Sequence, residues 1–184
     1  MVELTSAFCH KDEVMWILPA RKLPEHLSGF ANKKLTIHLL PIKGRIYHPA
    51  NIVLLSDAVR RINKFKPDVI HLQVGDSILL LALLPFFKRY PLVTTFHDVN
   101  LHLGEENRWK SFVRYWVRKY SDQIIVHGEK LKELMVEDYH IPTEKVHAIH
   151  IGEHAVAPFK KYERDDIQED KNLILFFGRI HEYK

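Results

Sequence analysis

Short apolar runs alternating with helical segments constrain the fold of this chain more than any other feature. Glu13 to Pro19 (EVMWILP) and Leu35 to Leu40 (LTIHLL) are β-prone runs, rich in branched, aromatic and long apolar side chains. Between Asn51 and Phe65 the rhythm changes. Ile52, Leu55, Val59 and Ile62 recur there at helical spacing, with Arg60, Arg61 and Lys64 on the wetter side. Asn51, just after Pro49 and Ala50, is the candidate N-cap of that helix. Lys66-Pro67-Asp68 stops it, and Val69-Ile70-His71-Leu72 is the next strand. Gly75-Asp76-Ser77 opens a second helix that runs to about Arg89. It is apolar nearly all round, as a well-buried helix is, and Pro85 is a candidate kink.

The alternation continues to the end of the domain. Pro91 to Phe96 is a strand, Asn107 to Tyr120 a helix, Gln123 to Val126 a strand, and Glu129 to Asp138 a helix with Leu131, Leu134 and Met135 inward. Val146 to Ile151 closes the series at Gly152. Strands separated mostly by helices predict an α/β domain with a mostly parallel sheet and helices on both faces. The central strands read as continuous apolar runs, which fits burial on both sides.

Composition narrows the class. The chain has 184 residues, 46% apolar and 27% charged, which excludes a disordered or fibrous protein. Its formal net charge of +4 is too small to imply nucleic acid without a concentrated patch. A single cysteine, Cys9, excludes an internal disulfide framework and a cysteine-based zinc cluster, and fits a reducing compartment such as the cytoplasm. The first fifteen residues show no signal peptide. The longest apolar run, Ile78 to Phe87, has half of the roughly twenty residues that a spanning helix needs.

The two ends change character. Residues 1–153 read as one domain and 154–171 as a charged linker, densest in FKKYERDDIQEDK. Asn172 to Phe177 (NLILFF) then starts a fresh strand, so 172–184 reads as the beginning of a second domain. At the front, Leu4 to Cys9 reads as the last turns of a helix, whereas a doubly wound domain normally begins with a strand. The expectation is a fragment truncated at both ends, lacking its first strand and the phosphate-facing loop.

In open parallel sheets, ligands bind beyond the carboxyl ends of the strands. That rule selects His71 and Gln73, His97 and Asp98, His127 to Glu129, and Gly152 to His154. His97-Asp98 is the sharpest pair, because an imidazole donates or accepts near neutral pH and an adjacent acid raises its basicity. The competing reading has His97 merely tying down the following loop. His71 reads either as a site residue or as a satisfied core histidine. Gly128 precedes a helix whose N-terminus attracts anions, while Glu129 suits the same dipole by itself. Gly152 ends a strand, either beneath a ligand or in a plain turn.

Thirteen histidines invite a metal, but His147 and His150 are three apart in a strand and point to opposite faces. No HExxH, GxGxxG or GxxxxGK[ST] segment is present, so no metal is expected and dehydrogenase and P-loop readings lack their phosphate-binding device. The helix from Asn107 to Tyr120 mixes Trp109, Phe112, Val113, Trp116 and Val117 with Arg108, Lys110, Arg114, Arg118 and Lys119. Two readings fit: a basic aromatic helix on an anionic membrane, or a sheet-packing helix with a solvated basic back.

Together these pieces resemble the retaining, nucleotide-sugar-dependent glycosyltransferases of family 4, which have the two-domain GT-B architecture. The resemblance runs from about Leu4 to Lys184. It is carried by Cys9-His-Lys-Asp-Glu-Val14, Lys66-Pro-Asp-Val-Ile-His71, Pro91-Leu-Val-Thr-Thr-Phe-His97-Asp98, Ser121-Asp-Gln-Ile-Ile-Val126 and Ile141-Pro-Thr-Glu-Lys-Val146, leading to Gly152. Leu175-Phe-Phe-Gly-Arg179-Ile-His-Glu-Tyr-Lys184 is the last piece. The order and spacing of the pieces carry the likeness, not any one of them.

The resemblance implies a Rossmann-like N-terminal domain that binds the acceptor and a C-terminal domain that binds most of the nucleotide sugar. By the same resemblance, His97 and Asp98 are catalytic, and Arg179, Lys184 and Gly152 hold the donor. His71, Gln73, Gly128 and Glu129 face a sugar or lipid-linked acceptor. The donor is a substrate, no further cofactor is implied, and residues 108–120 are the candidate peripheral membrane contact. Departures are the absent glycine-rich loop and His150-Ile-Gly152-Glu-His154 where a Pro-Asn-Gly-Val-Asp-like turn is common. The chain alone is expected to be inactive, and the rival class is a non-catalytic α/β binding domain on the same scaffold.

Overall fold

A computed structural model describes residues 8–20, 34–43, 48–73, 77–100 and 107–150. Val14–Leu18 (β1) pairs in parallel with Leu35–Leu39 (β2). Pro49–Phe65 (α1) then leads to Ile70–Gln73 (β3), Leu79–Phe87 (α2) and Leu92–Phe96 (β4). Arg108–Tyr120 (α3), Gln123–Val126 (β5), Glu129–Glu137 (α4), a 3-10 turn at Thr143–Lys145 and Val146–Ala148 (β6) follow. β3 to β6 form one sheet in the order β3-β4-β5-β6, and every pairing among the described strands is parallel. The α/β class with helices on both faces is thus as the alternation predicts.

The six strands expected before Gly152 all form, the last ending at Ala148, but in two hydrogen-bonded groups, β1-β2 and β3 to β6. The strand expected at 172–177 lies outside the described residues. One core still joins them. Leu92, Phe96, Ile124, Val126 and Val146 from the sheet are completely buried against Val113, Val117 and Met135 from the helices. Met15 and Ile17 of β1 pack on the same cluster, as do Leu131 and Leu134 of α4. Burying an aliphatic or aromatic side chain of this size contributes about 1.5–3 kcal/mol.

Local chemistry explains the helix ends. α1 begins at Pro49, whose missing N–H costs nothing in a first turn, and the His48 ring accepts from the Ala50 N–H at 3.2 Å. Asn51 is therefore not the cap. It lies inside the helix, buried, with its amide bonded to the backbone of Lys43 at 2.9 and 3.3 Å. The same shift turns Ile52 outward, 68% exposed, and the inner stripe is Asn51, Ala58 and Ile62. At the other end Lys66 takes a left-handed conformation (φ +52°) and returns its N–H to the Ile62 carbonyl, ahead of Pro67.

Two further expectations are corrected. α2 is apolar all round but not well buried: only Leu84 and Phe87 are inside, while Ala82, Pro85 and Phe86 are exposed. One side of it meets α3 and the core, and hydropathy alone does not reveal a one-sided contact. Arg118 does not belong to a solvated back. It is 8% exposed, its guanidinium 3.8 Å from the Tyr139 ring centre and 5.9 Å from that of Phe96. Of the expected helix at Leu4 to Cys9, only Phe8 and Cys9 are described, and both are helical.

The segment after α3 fastens the sheet. Ser121 caps α3, its hydroxyl donating to the Val117 carbonyl at 2.7 Å and accepting from the buried Thr94 hydroxyl at 2.7 Å. Next to it the Asp122 carboxylate accepts the Leu92 N–H at 2.8 Å, and the Asp122 N–H donates to the Leu92 carbonyl at 2.8 Å. These bonds set where β4 and β5 meet. Ser121→Ala leaves the Thr94 hydroxyl buried without its acceptor and should cost about 1–3 kcal/mol in urea unfolding. Adding Thr94→Val should recover part of that loss, because both polar partners are then gone. A double variant that loses the sum of the two single losses would contradict this account of the junction.

Candidate functional site

Parallel strands end at one edge, and the register brings their last side chains to one face. Gln73 pairs with Thr95, Thr95 with Ile125, and Phe96 with Val126. With a side-chain period of two, His71 and Gln73, Thr95 and His97, and Ile125 and His127 share a face. Core residues Leu72, Phe96 and Val126 take the other.

The polar side chains on that face form a bonded row. The Thr95 hydroxyl lies 2.7 Å from His71 Nε2, and the Gln73 amide spans His71 Nε2 at 3.1 Å and His97 Nε2 at 3.0 Å. His97 Nδ1 lies 3.2 Å from His127 Nε2, with ring centres 5.0 Å apart, and His127 Nδ1 donates to the Ile149 carbonyl at 3.2 Å. Four strand ends are thereby tied together by side chains. His71 and His97 are open to solvent on one side, so a ligand has access to the row.

Burial disfavours charge on these rings. His71 is held below the usual histidine range by desolvation and then by the charge of His97. His97 is lowered by desolvation and by His127, with the Asp98 carboxylate pulling the other way. Both rings are therefore mainly neutral at physiological pH, ready to accept or donate a hydrogen bond.

The predicted site residues divide. His71, Gln73 and His97 come together, and His71 is at the exposed edge, not in the core. Asp98 lies beside the row, its backbone carbonyl accepting from the Arg114 guanidinium at 3.0 Å and its charge acting on His97. Gly128 serves the backbone: its φ of +124° strains any side chain, and its carbonyl accepts from the N–H groups of Leu131 and Lys132. Glu129 follows in the exposed first turn of α4. Gly152, Arg179 and Lys184 lie outside the described residues. His127 is the member that sequence reasoning selected only as part of its group. Its signal is position, since it follows β5 as His97 follows β4.

His147 points to the same face and bonds Gln123 at 2.6 Å. Among the described residues, no group of three His, Cys, Asp or Glu side chains is placed to hold a metal ion.

The lowered histidines set a pH dependence for folding. The unfolded chain takes protons near the ordinary value of 6.5, whereas His71 and His97 in the folded chain resist them until the pH is lower. Their neutral forms cost nothing at high pH, and stability should fall as the pH drops through that value. His38, lowered by burial and by Arg61, acts in the same direction. Urea midpoints followed from neutral pH into the acid range should decline, and His71→Gln with His97→Gln should flatten the decline. A midpoint that rises on acidification would refute the assignment.

A family model described as Glycosyltransferase Family 4 matches residues 2–152 of the chain. No curated protein matches it.

Proposed function

This chain belongs to glycosyltransferase family 4, and from that premise we propose that it is the acceptor side of a retaining enzyme that takes its sugar from a nucleotide-sugar donor. Family membership supports sugar transfer in general. One observation supports the finer reading: a bonded row of three imidazoles and one amide across the carboxyl ends of three neighbouring parallel strands, with charge disfavoured on His71 and His97. Such groups recognise hydroxyls, which are what a sugar acceptor presents.

In this reading His97 orients the acceptor hydroxyl and the transferred sugar, with Asp98 biasing its charge. His71 and Gln73 position the acceptor, and Gly128 and Glu129 line the same edge. Residues 172–184 begin the donor-binding domain, where Arg179 and Lys184 grip the diphosphate and Gly152 lets the chain approach it. Their positive charge stabilises the phosphate as the bond to the anomeric carbon breaks and its electron pair passes to the leaving oxygen. The new bond forms from the acceptor oxygen, whose proton is released. In the two-domain enzyme, His97→Ala should lower transfer of labelled sugar roughly tenfold or more with the fold retained. Transfer at the parent rate would remove His97 from the catalytic role.

The outer face of α3 favours a lipid-linked acceptor reached at a membrane surface. Trp109, Phe112 and Tyr115 are 64%, 46% and 51% exposed, and Phe112 stacks edge-on between Trp109 and Trp116 at 6.2 Å. α3 contains no acidic residue, and α2 beside it is followed by Lys88 and Arg89. A groove of about 220 Å³ between the two helices is lined by Leu81, Leu84, Pro85, Trp116 and Tyr120. No helix among the described residues is long and apolar enough to cross a membrane. In this reading α3 lies along the surface, its aromatic side chains in the interface.

The chain should sediment with phosphatidylglycerol vesicles, less so as salt rises, and weakly with phosphatidylcholine. Trp109→Ser with Phe112→Ser should abolish sedimentation. Equal sedimentation by the double variant would exclude this face.

A further inference from the structure

The row of side chains admits few proton arrangements, and one donor is fixed by a backbone carbonyl. The Ile149 oxygen only accepts, so His127 carries hydrogen on Nδ1. A neutral His127 then offers Nε2 as an acceptor, and the facing His97 Nδ1 must donate to it. His97 in turn is left with a bare Nε2. This neutral state requires the Gln73 amide to give its NH2 to His97 and its oxygen to His71. That is the reverse of the orientation in the structure, where the nitrogen faces His71 Nε2 and the oxygen faces His97 Nε2. The Thr95 hydroxyl, either donor or acceptor, serves His71 in either state.

Adding one proton changes the pattern in a single way. Whether the proton sits on His97 or on His127, His97 Nε2 becomes a donor and the amide must turn end for end. The orientation in the structure and the one that a bare His97 Nε2 requires differ only by this end-for-end turn. The amide's oxygen and nitrogen have nearly the same shape, so the turned form fits the same space.

We propose that His127 is a positioning residue for His97: it holds hydrogen on His97 Nδ1, so that a bare Nε2 is presented to the acceptor hydroxyl. Gln73 occupies that lone pair until the hydroxyl displaces it and donates to the same nitrogen. A proton added to either ring turns the acceptor nitrogen into a donor and ends recognition of the hydroxyl's proton. The other titratable groups acting on the pair are His71 from β3, through Gln73, and Asp98 at the end of β4, which favours the added proton. The use made of Nε2 rests on the sugar-transfer reading; the tautomer does not.

Nitrogen-15 NMR of the histidine-labelled chain tests this directly, with resonances assigned by their loss in His97→Ala and His127→Phe. At about pH 7.5, where neutral rings dominate, His97 should carry hydrogen on Nδ1 and none on Nε2. On acidification His97 should gain hydrogen on Nε2, the donor state in which the hydroxyl's proton is no longer accepted. His127→Phe should return His97 to the Nε2–H tautomer, while His127→Gln, whose amide oxygen also accepts, should retain the Nδ1–H form. Hydrogen on Nε2 of His97 in the parent chain at that pH, no gain of it on acidification, or an unchanged tautomer in His127→Phe would overturn the proposal. If His127→Phe does not fold, the parent and His127→Gln spectra decide. The expected tautomer together with a two-domain enzyme that transfers no sugar would leave the positioning role standing and overturn the transfer reading alone.

Discussion

A slip of one residue between β4 and β5 would turn His97 and His127 to opposite faces of the sheet, because side chains alternate along a strand. The site therefore depends on the parallel register, and the register depends on the junction where α3 ends. Leu92 and Asp122 exchange two bonds of 2.8 Å, and the Thr94 and Ser121 hydroxyls meet at 2.7 Å in the buried layer just above. These polar groups sit where a displaced strand would leave them without partners. Any alternative pairing thus carries a desolvation cost as well as a packing cost. The junction sets the edge of the sheet, and the edge sets which side chains meet.

The same alternation separates two environments across the thickness of one sheet. On one face lie Phe96, Ile124 and Val126, fully buried. On the other face lie His71, Gln73, His97 and His127, linked to one another and reached by solvent on one side. Partial burial has a definite chemical effect there. It disfavours charge on His71 and His97, which makes them partners for hydroxyls and poor partners for anions. A polar row of this kind suits uncharged hydroxyl groups better than phosphates, for which arginine and lysine are the usual partners.

α3 joins this site to the surface. Its inner stripe, Val113 and Val117, packs in the core, and Arg114 holds the Asp98 carbonyl beside His97. Its outer stripe is aromatic and basic. Arg118 belongs to neither surface, because Tyr139 and Phe96 cover it and the ring faces stabilise its charge. One helix thus contacts both the loop after β4 and whatever lies against the outer face.

Read alone, the amino-acid sequence determined the order of the described strands and α-helices, because local hydropathy period and Pro and Gly punctuation govern that. It overran the last strand, which ends at Ala148 and not Ile151, and the second helix, which spans only Leu79–Phe87. His97 was legible for the same reason: it follows an apolar strand whose end is marked by polarity. The cap of α1 was misread, since Asn51 and His48 are both plausible partners for a helix end and only the bond to Lys43 reveals what Asn51 does. The exposure of α2 was equally hidden, as hydropathy reports the wish to be buried and not the presence of a cover. The pairing of His127 with His97 is a matter of register between residues 30 apart, which no local pattern encodes. Local sequence specified which elements form; only tertiary contact, through long-range pairing and burial, decided which polar groups meet and with what charge.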